Sequence, residues 1–150
     1  MARVTVSDHI AAPVEKVFQV FTDIERASEH VSAIKKVDIL TQGSFQLGTR
    51  WRETRDVLGT LDTAEMEVTS FERNRTYTIT HHKLGARVDT EFWFEPAGDG
   101  TKVTIEFDFG TPGLPPGMMA PMGWAIAGKV REVLAHDLAD LKESSEHAKP

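Results

Sequence analysis

The feature that most constrains the fold is a long stretch, residues 33–110, in which short segments of alternating apolar and polar residues are separated by turn-forming residues. Alternation with a period of two is typical of β-strands that bury one face. The connections are short, so consecutive segments are expected to pair as antiparallel neighbours. Together with the alternating start of the chain, the pattern predicts seven strands: 3–10, 34–41, 48–57, 60–71, 76–82, 86–95 and 101–110.

Helical periodicity appears outside this stretch. Four apolar residues at helical spacing follow the first strand: Val14, Val17, Phe18 and Phe21. A second short helix is predicted for residues 23–30, with Asp23 as its N-cap. A Gly-, Pro- and Met-rich connection, 110–123, precedes the longest helical pattern, which carries an apolar stripe from Ile126 to Leu141. Such a helix can cover the concave face of a curved sheet but only partly fill it.

The hairpin connections predict which side of the sheet is buried. With Leu58-Gly59 as a two-residue loop, one face carries the pairs Trp51–Met66, Glu53–Ala64 and Arg55–Asp62, and the other carries Arg50–Glu67 and Arg52–Glu65. The second set is a ladder of opposite charges, which is typical of a solvated face. The same reasoning along the chain predicts the inner pairs Met66–His81, Val68–Ile79, His81–Val88, Ile79–Thr90, Tyr77–Phe92, Thr90–Phe107 and Phe92–Ile105.

Length and composition limit the classes of protein. The 150 residues suit one domain, 1–150. The net charge of −6 argues against a nucleic-acid partner, which would require a basic surface. No apolar run is long enough for a membrane span, and the chain has no cysteine, which fits a cytoplasmic location. The histidines show no metal-ligand spacing and no nucleotide fingerprint is present, so neither a metal nor a cofactor is predicted.

Four segments carry a resemblance to a known family: "IAAPVEKVFQVFTDIE", "LGTRWRETR", "FEPAGDGTKVTIEF" and "LAHDLADLKESSE". With them the chain resembles the SRPBCC superfamily (START and Bet v 1-like proteins), and within it the polyketide cyclase/dehydrase and lipid-transport group. The resemblance implies an α+β helix-grip fold, in which a seven-stranded curved antiparallel sheet wraps around a long C-terminal helix and two short helices join strands 1 and 2. It also implies a hydrophobic cavity. Many relatives have Trp then Pro after the second helix, where this chain has His30 and Val31.

Few polar side chains face the predicted interior, and such groups orient a ligand in an apolar cavity. Arg55 is expected to pair with Asp62 near the rim, leaving Glu53 without a cross-strand partner and available for a ligand. Tyr77 and His81 could donate hydrogen bonds to a ligand carbonyl. As an enzyme, the chain would use Glu53 as general base and Arg55 to polarise a carbonyl, or His81. The catalytic residues therefore stay open, with Glu53, Arg55 and His81 as candidates.

The expected function is binding of a small hydrophobic molecule of the lipid, polyketide or aromatic type, as carrier or sensor; the alternative is a cyclase, aromatase or dehydratase. The predicted ligand-binding residues are Trp51, Glu53, Arg55, Met66, Tyr77, Ile79, His81, Thr90, Phe92, Phe107, Met119, Met122, Ile126 and Val130. The methionines of 110–123 are interpreted either as core packing or as a mobile gate. Trp93, on the outer face, could mark a subunit contact, so a homodimer is a candidate assembly.

Overall fold

The structure is a computed structural model that describes residues 2–83, 85–109 and 116–147, with side chains for 3–83, 85–109 and 127–147. The strands are β1 Ala2–Ile10, β2 Ile34–Ile39, β3 Arg50–Val57, β4 Thr60–Glu72, β5 Thr76–Lys83, β6 Ala86–Ala97 and β7 Gly100–Phe109. The helices are α1 Val14–Phe21, α2 Ala27–His30 and α3 Pro116–His147, with a 3-10 turn at Ile24–Arg26. No helix of the described residues is long and apolar enough to cross a membrane.

The seven strands form one antiparallel sheet in the order β1-β7-β6-β5-β4-β3-β2. This is the predicted arrangement, with two short helices between β1 and β2 and a long helix after β7. The chain meanders from β2 to β7, and β1 closes the sheet by pairing with β7. Consequently the β3–β4 turn at 58–59, the end of β5, the start of β6 and the end of β7 lie at one end of the sheet, which we call the tip end. Helix α1 follows β1 at the opposite end.

The predicted registers are confirmed for β3–β4, β5–β6 and β6–β7. In the β3–β4 turn both Leu58 (φ 53°) and Gly59 (φ 92°) have positive φ, as a two-residue loop of this type requires. On the outer face, Arg50 contacts Glu65 diagonally, with its Nη2 2.7 Å from Oε1 of that residue, rather than the directly opposite Glu67.

One irregularity in β4 was not predicted. The register between β4 and β5 shifts between Val68 and Ser70, which makes Thr69 a bulge. Val68 still pairs with Ile79, but beyond the bulge Phe71 pairs with Tyr77. An extra residue in one strand reverses which side chains face inward. The bulge therefore turns Phe71 to the inner face, where its ring lies 5.9 Å from that of Phe18.

Two predictions about the helices are wrong. Helix α3 begins at Pro116 and therefore includes most of the segment 110–123 that was expected to be a connection; proline is tolerated in a first turn because its missing N–H would have no partner there. Asp23 precedes the 3-10 turn without a capping hydrogen bond from its side chain. Its Oδ2 is instead 3.0 Å from Nε2 of His30, so the carboxylate connects the start of the 3-10 turn to the end of α2.

The second half of α3 is held against the rest of the fold by hydrogen bonds on two sides. Asp140 accepts hydrogen bonds from the backbone N–H (3.0 Å) and the hydroxyl (2.9 Å) of Ser32. Glu146 accepts one from the backbone N–H of Ala11 (2.8 Å), and Arg131 donates one to the carbonyl of Thr5 (3.1 Å). The apolar side chains between these anchors, Leu134, Leu138 and Leu141, are buried in the core.

Candidate functional site

The inner face of the sheet is packed differently at its two ends. Near α1 the aromatic and aliphatic side chains are almost fully buried: Trp51, Tyr77, Phe94 and Ile105. Phe18 and Phe21 of α1 close this end with edge-to-face contacts to Phe94 (ring centroids 5.1 and 5.2 Å apart). Six inner-face residues are only partly buried: Met66, Ile79, His81, Thr90 and Phe107 toward the tip end, where Val88 is buried, and Phe92 opposite Tyr77. The concave face thus keeps accessible surface at the tip end.

Three charged side chains form a chain of contacts between this face and α3. Arg55 donates from Nε to Oε2 of Glu53 (3.1 Å) and from Nη1 to Oδ2 of Asp137 (3.0 Å). The other oxygen of Glu53, Oε1, accepts the indole N–H of Trp51 (3.3 Å). We call Glu53, Arg55 and Asp137 the inner ionic cluster. It connects β3 to the middle of α3 in a region where Glu53 and Asp137 are both buried.

The cluster corrects two predictions. Arg55 is not held by Asp62, although the two residues are directly opposite in the ladder. Asp62 lies at the exposed rim and pairs with Lys83 of β5. The guanidinium of Arg55 instead extends to Asp137 of α3. Glu53 is also not without partners, because each of its carboxylate oxygens accepts a hydrogen bond from a neighbouring side chain on β3.

Asp137 is the residue that the sequence analysis missed. Only 8% of it is exposed, and its Oδ1 has no hydrogen-bond partner among the described residues. Burial raises the pKa of Asp137 above the ordinary carboxyl value of 3.8, and the Arg55 guanidinium opposes this without cancelling it. A signal was present in the sequence: Asp137 falls three residues after Leu134 and four before Leu141, within the apolar stripe of α3.

The other ionisable groups on this face respond to the same environment. Desolvation alone would lower the pKa of Arg55, but Asp137 and then Glu53 outweigh it, so that the pKa is raised and the guanidinium stays charged. Burial lowers the pKa of His81, with Glu53 opposing and Lys83 assisting, which favours the neutral imidazole. Neither ring nitrogen of His81 has a hydrogen-bond partner in the described part of the chain. His81 is thus a partly buried polar group on the concave face, with a lowered pKa.

Tyr77 is placed inward as predicted, but its hydroxyl is engaged. It donates to the carbonyl oxygen of Phe21 (3.4 Å), one of the last carbonyls of α1. Burial, and secondarily the charge of Glu53, raises the pKa of Tyr77 well above its ordinary value. The ring stacks on Phe92, with centroids 4.5 Å apart. Tyr77 thus joins α1 to the sheet rather than presenting a donor to the concave face.

The remaining predicted residues fall into three groups. Thr90, Phe92 and Phe107 lie on the accessible part of the inner face, and Val130 of α3 packs against the core. The side chains of Met119, Met122 and Ile126 lie outside the described side chains, as do those of the whole segment 110–123 that was considered as a gate. Trp93 is on the outer face, with its N–H 3.5 Å from Oε2 of Glu91. Within the described side chains, no group of three His, Asp or Glu residues could hold a metal ion.

Comparison with solved structures shows the same fold in distant proteins. A START superfamily protein from Mycobacterium smegmatis matches with a TM-score of 0.79 and 17% identity, over 99% of this chain and 100% of that one. The Zhui aromatase/cyclase from Streptomyces sp. R1128 gives 0.79 and 18%, over 96% and 93%. The ginseng (Panax ginseng) major latex-like protein 151 gives 0.76 and 12%, over 95% and 96%. At these identities the likeness shows the helix-grip fold and no shared activity.

Comparison with curated proteins gave no match. Comparison with family models gave a match over residues 1–146 to the family described as polyketide cyclase/dehydrase and lipid transport. That span contains every strand, all three helices except the last residue of α3, and the inner ionic cluster. The chain therefore belongs to the polyketide cyclase/dehydrase and lipid-transport family.

Proposed function

We propose that the chain is a carrier or sensor that binds a small hydrophobic molecule of the lipid, polyketide or aromatic type on the concave face of its sheet. The family and the fold support either a protein that binds a hydrophobic ligand or a polyketide cyclase-like protein. The observation that carries the proposal is the partly accessible apolar surface on a face that a long helix covers. Buried apolar surface is the normal lining of a small-molecule site, with few polar groups to orient the ligand.

Two polar groups would orient the ligand. Oδ1 of Asp137 is a buried acceptor without a described partner, and leaving such an oxygen unpaired costs about 1–3 kcal/mol. A ligand hydroxyl that donates to this oxygen would recover that free energy. His81, nearer the tip end, would offer its neutral imidazole to a second polar group of the ligand. The ligand is thus a largely apolar molecule with at least one hydroxyl group.

A matched pair of ligands tests this role of Asp137. We would titrate the protein with a hydroxynaphthoquinone and with its O-methyl ether, and follow intrinsic tryptophan fluorescence. The hydroxyl compound is expected to bind about tenfold more tightly, and Asp137→Leu should abolish that preference. Asp62→Leu is the control, because it removes the same charge at the rim, where Asp62 pairs with Lys83. Equal binding of both compounds by the unmodified protein would refute the assignment.

A cyclase-like enzyme is the second candidate, and the pairing of Arg55 with Asp137 favours it. A charged guanidinium beside a carboxyl of raised pKa could polarise a carbonyl and transfer a proton to it. Neutral His81 would be the general base. Glu53, with both oxygens engaged, would act only by positioning Arg55. Turnover of a poly-β-keto substrate that Arg55→Ala and His81→Ala leave unchanged would exclude this candidate.

A single domain over 1–150, a cytoplasmic location and a homodimer through Trp93 stay predictions. Sedimentation equilibrium of the unmodified chain and of Trp93→Ala would test the last of these, since a homodimer held by this residue should dissociate in the variant.

A further inference from the structure

A groove of about 610 Å³ lies beside α1, at the end of the sheet opposite the tip end. One wall is formed by α1 with Gln19 and Thr22, and the other by Ser44 of the β2–β3 connection and by Arg73 and Asn74 of the β4–β5 turn. Its volume falls within the range of sites for small molecules, which is roughly 300–1,000 Å³. Three separate segments of the chain line the groove, so it is concave rather than flat.

The floor of this groove is aromatic. Phe18, Phe45 and Phe71 contribute to it, with the rings of Phe18 and Phe45 each 5.9 Å from that of Phe71. Phe71 faces the groove only because of the bulge at Thr69. Behind the floor, Phe45 contacts Tyr77 (4.9 Å between centroids), so the fully buried core separates the groove from the accessible part of the concave face. Aromatic rings at this spacing favour edge and face contacts with a further ring.

The rim of the groove carries two carboxylates and two arginines, and the arginines have no carboxylate partner among the described residues. Of its two carboxylates, Asp23 is 3.0 Å from His30, and Glu15 lies in the first turn of α1, where the helix dipole stabilises a negative charge. Its two cations, Arg26 and Arg73, are exposed, and neither makes an ion pair with any described carboxylate. Arginine guanidinium groups bind carboxylates through two parallel hydrogen bonds.

We propose that this groove is a second ligand site, separate from the accessible tip end of the concave face, and that it binds a small aromatic carboxylate. The aromatic body of the ligand lies on Phe45 and Phe71, and its carboxylate lies between Arg26 and Arg73. This assignment does not depend on the proposed function of the concave face, because no residue of the groove belongs to the inner ionic cluster.

Titration with 2-naphthoate, followed by NMR of the backbone amides, tests the proposal. Saturable shifts are expected at Gln19, Ser44 and Asn74 around the groove. The double variant with Arg26→Gln and Arg73→Gln should bind about tenfold more weakly. Arg52→Gln, which removes an exposed arginine from the outer face, is the matched control and should bind like the unmodified protein. Neutral 2-naphthalenemethanol should bind as weakly to the unmodified protein as naphthoate does to the double variant.

Three outcomes would overturn the proposal. They are an absence of saturable shifts, saturable shifts confined to concave-face amides such as those of Ile79 and Thr90, and an affinity that the double variant does not change. Shifts confined to the concave face would support the proposed function while refuting the second site, so the two can fail separately. The amide spectrum of the double variant without ligand checks that both exposed substitutions leave the fold intact.

Discussion

Replacing Arg55 with methionine is predicted to destabilise the fold strongly. The substitution leaves two buried carboxylates without the cation that lies between them, and breaking a buried ion pair in this way costs about 3–5 kcal/mol. The side chains of Glu53 and Asp137 are only 9% and 12% exposed, so water cannot replace the lost partner. For a chain of this size, each kcal/mol lowers the melting temperature by about 2–4 °C, which gives a fall of roughly 6–20 °C.

The pH dependence of this loss has a definite sign. In the variant, nothing opposes the effect of burial on Asp137, so its pKa rises further above the unfolded value. A raised folded-state pKa contributes stability at low pH that is lost as the pH rises through it. The difference in free energy of unfolding between Arg55→Met and the unmodified protein should therefore be largest near neutral pH. It should shrink as the pH falls toward the ordinary carboxyl range.

Urea denaturation at a series of pH values measures both effects, and Arg50→Met is the matched control. Arg50 lies on the outer face of the same strand, and its pair with Glu65 is 47% and 48% exposed. An exposed pair of this kind contributes about 0–1 kcal/mol. The reasoning would be refuted if Arg55→Met cost no more than Arg50→Met, or if its cost did not decrease as the pH is lowered.

Three further predictions concern stability. The raised pKa of Asp137 should make the unmodified protein lose stability as the pH rises above the ordinary carboxyl pKa of 3.8, because the folded state keeps a proton that the unfolded state has released. Asp137→Asn should abolish this loss. Parallel urea profiles of the two proteins against pH would contradict the prediction. Leu58→Asn should raise the free energy of unfolding by about 1 kcal/mol, measured by thermal unfolding, because Leu58 has a φ of 53° and is 56% exposed. Leu61→Asn, in extended backbone, is the control and should not raise it. Gly100→Ala should lower the free energy of unfolding by more than about 2 kcal/mol, because the added Cβ would overlap the carbonyl oxygen of Ile10 in β1. Gly128→Ala in α3 has open space around it and should leave the free energy of unfolding unchanged or raise it. Calorimetry measures both.

The sheet could be predicted closely from the sequence because period-two alternation and two-residue turns constrain each other. Once Leu58-Gly59 is a hairpin loop, the pairing of Trp51 with Met66 follows, and a slip of one residue would expose an apolar face. The bulge at Thr69 could not be predicted in this way, since a single inserted residue leaves the alternation on either side intact. Phe71 and the groove beside α1 were missed for that reason.

The inner ionic cluster was predicted only in part, because it joins residues distant in sequence. Glu53 and Arg55 could be placed inward from the register of one hairpin. Their link to Asp137 depends on how α3 crosses the sheet and on whether Arg55 pairs with Asp62 or with Asp137. Strand pairing specifies neither. An aspartate in the apolar stripe of α3 was nevertheless a visible exception to the helical pattern. Exceptions of this kind are expected where a buried polar group has a role.

Native mass spectrometry of the protein purified from cells tests the central claim most directly. A ligand on the concave face should appear as an additional small organic mass that is absent from the denatured spectrum and that added hydroxynaphthoquinone displaces. Asp137→Leu should retain less of that mass than Asp62→Leu. A spectrum of ligand-free protein only, with no complex formed by fatty acids, sterols or aromatic polyketides added in excess, would contradict the account.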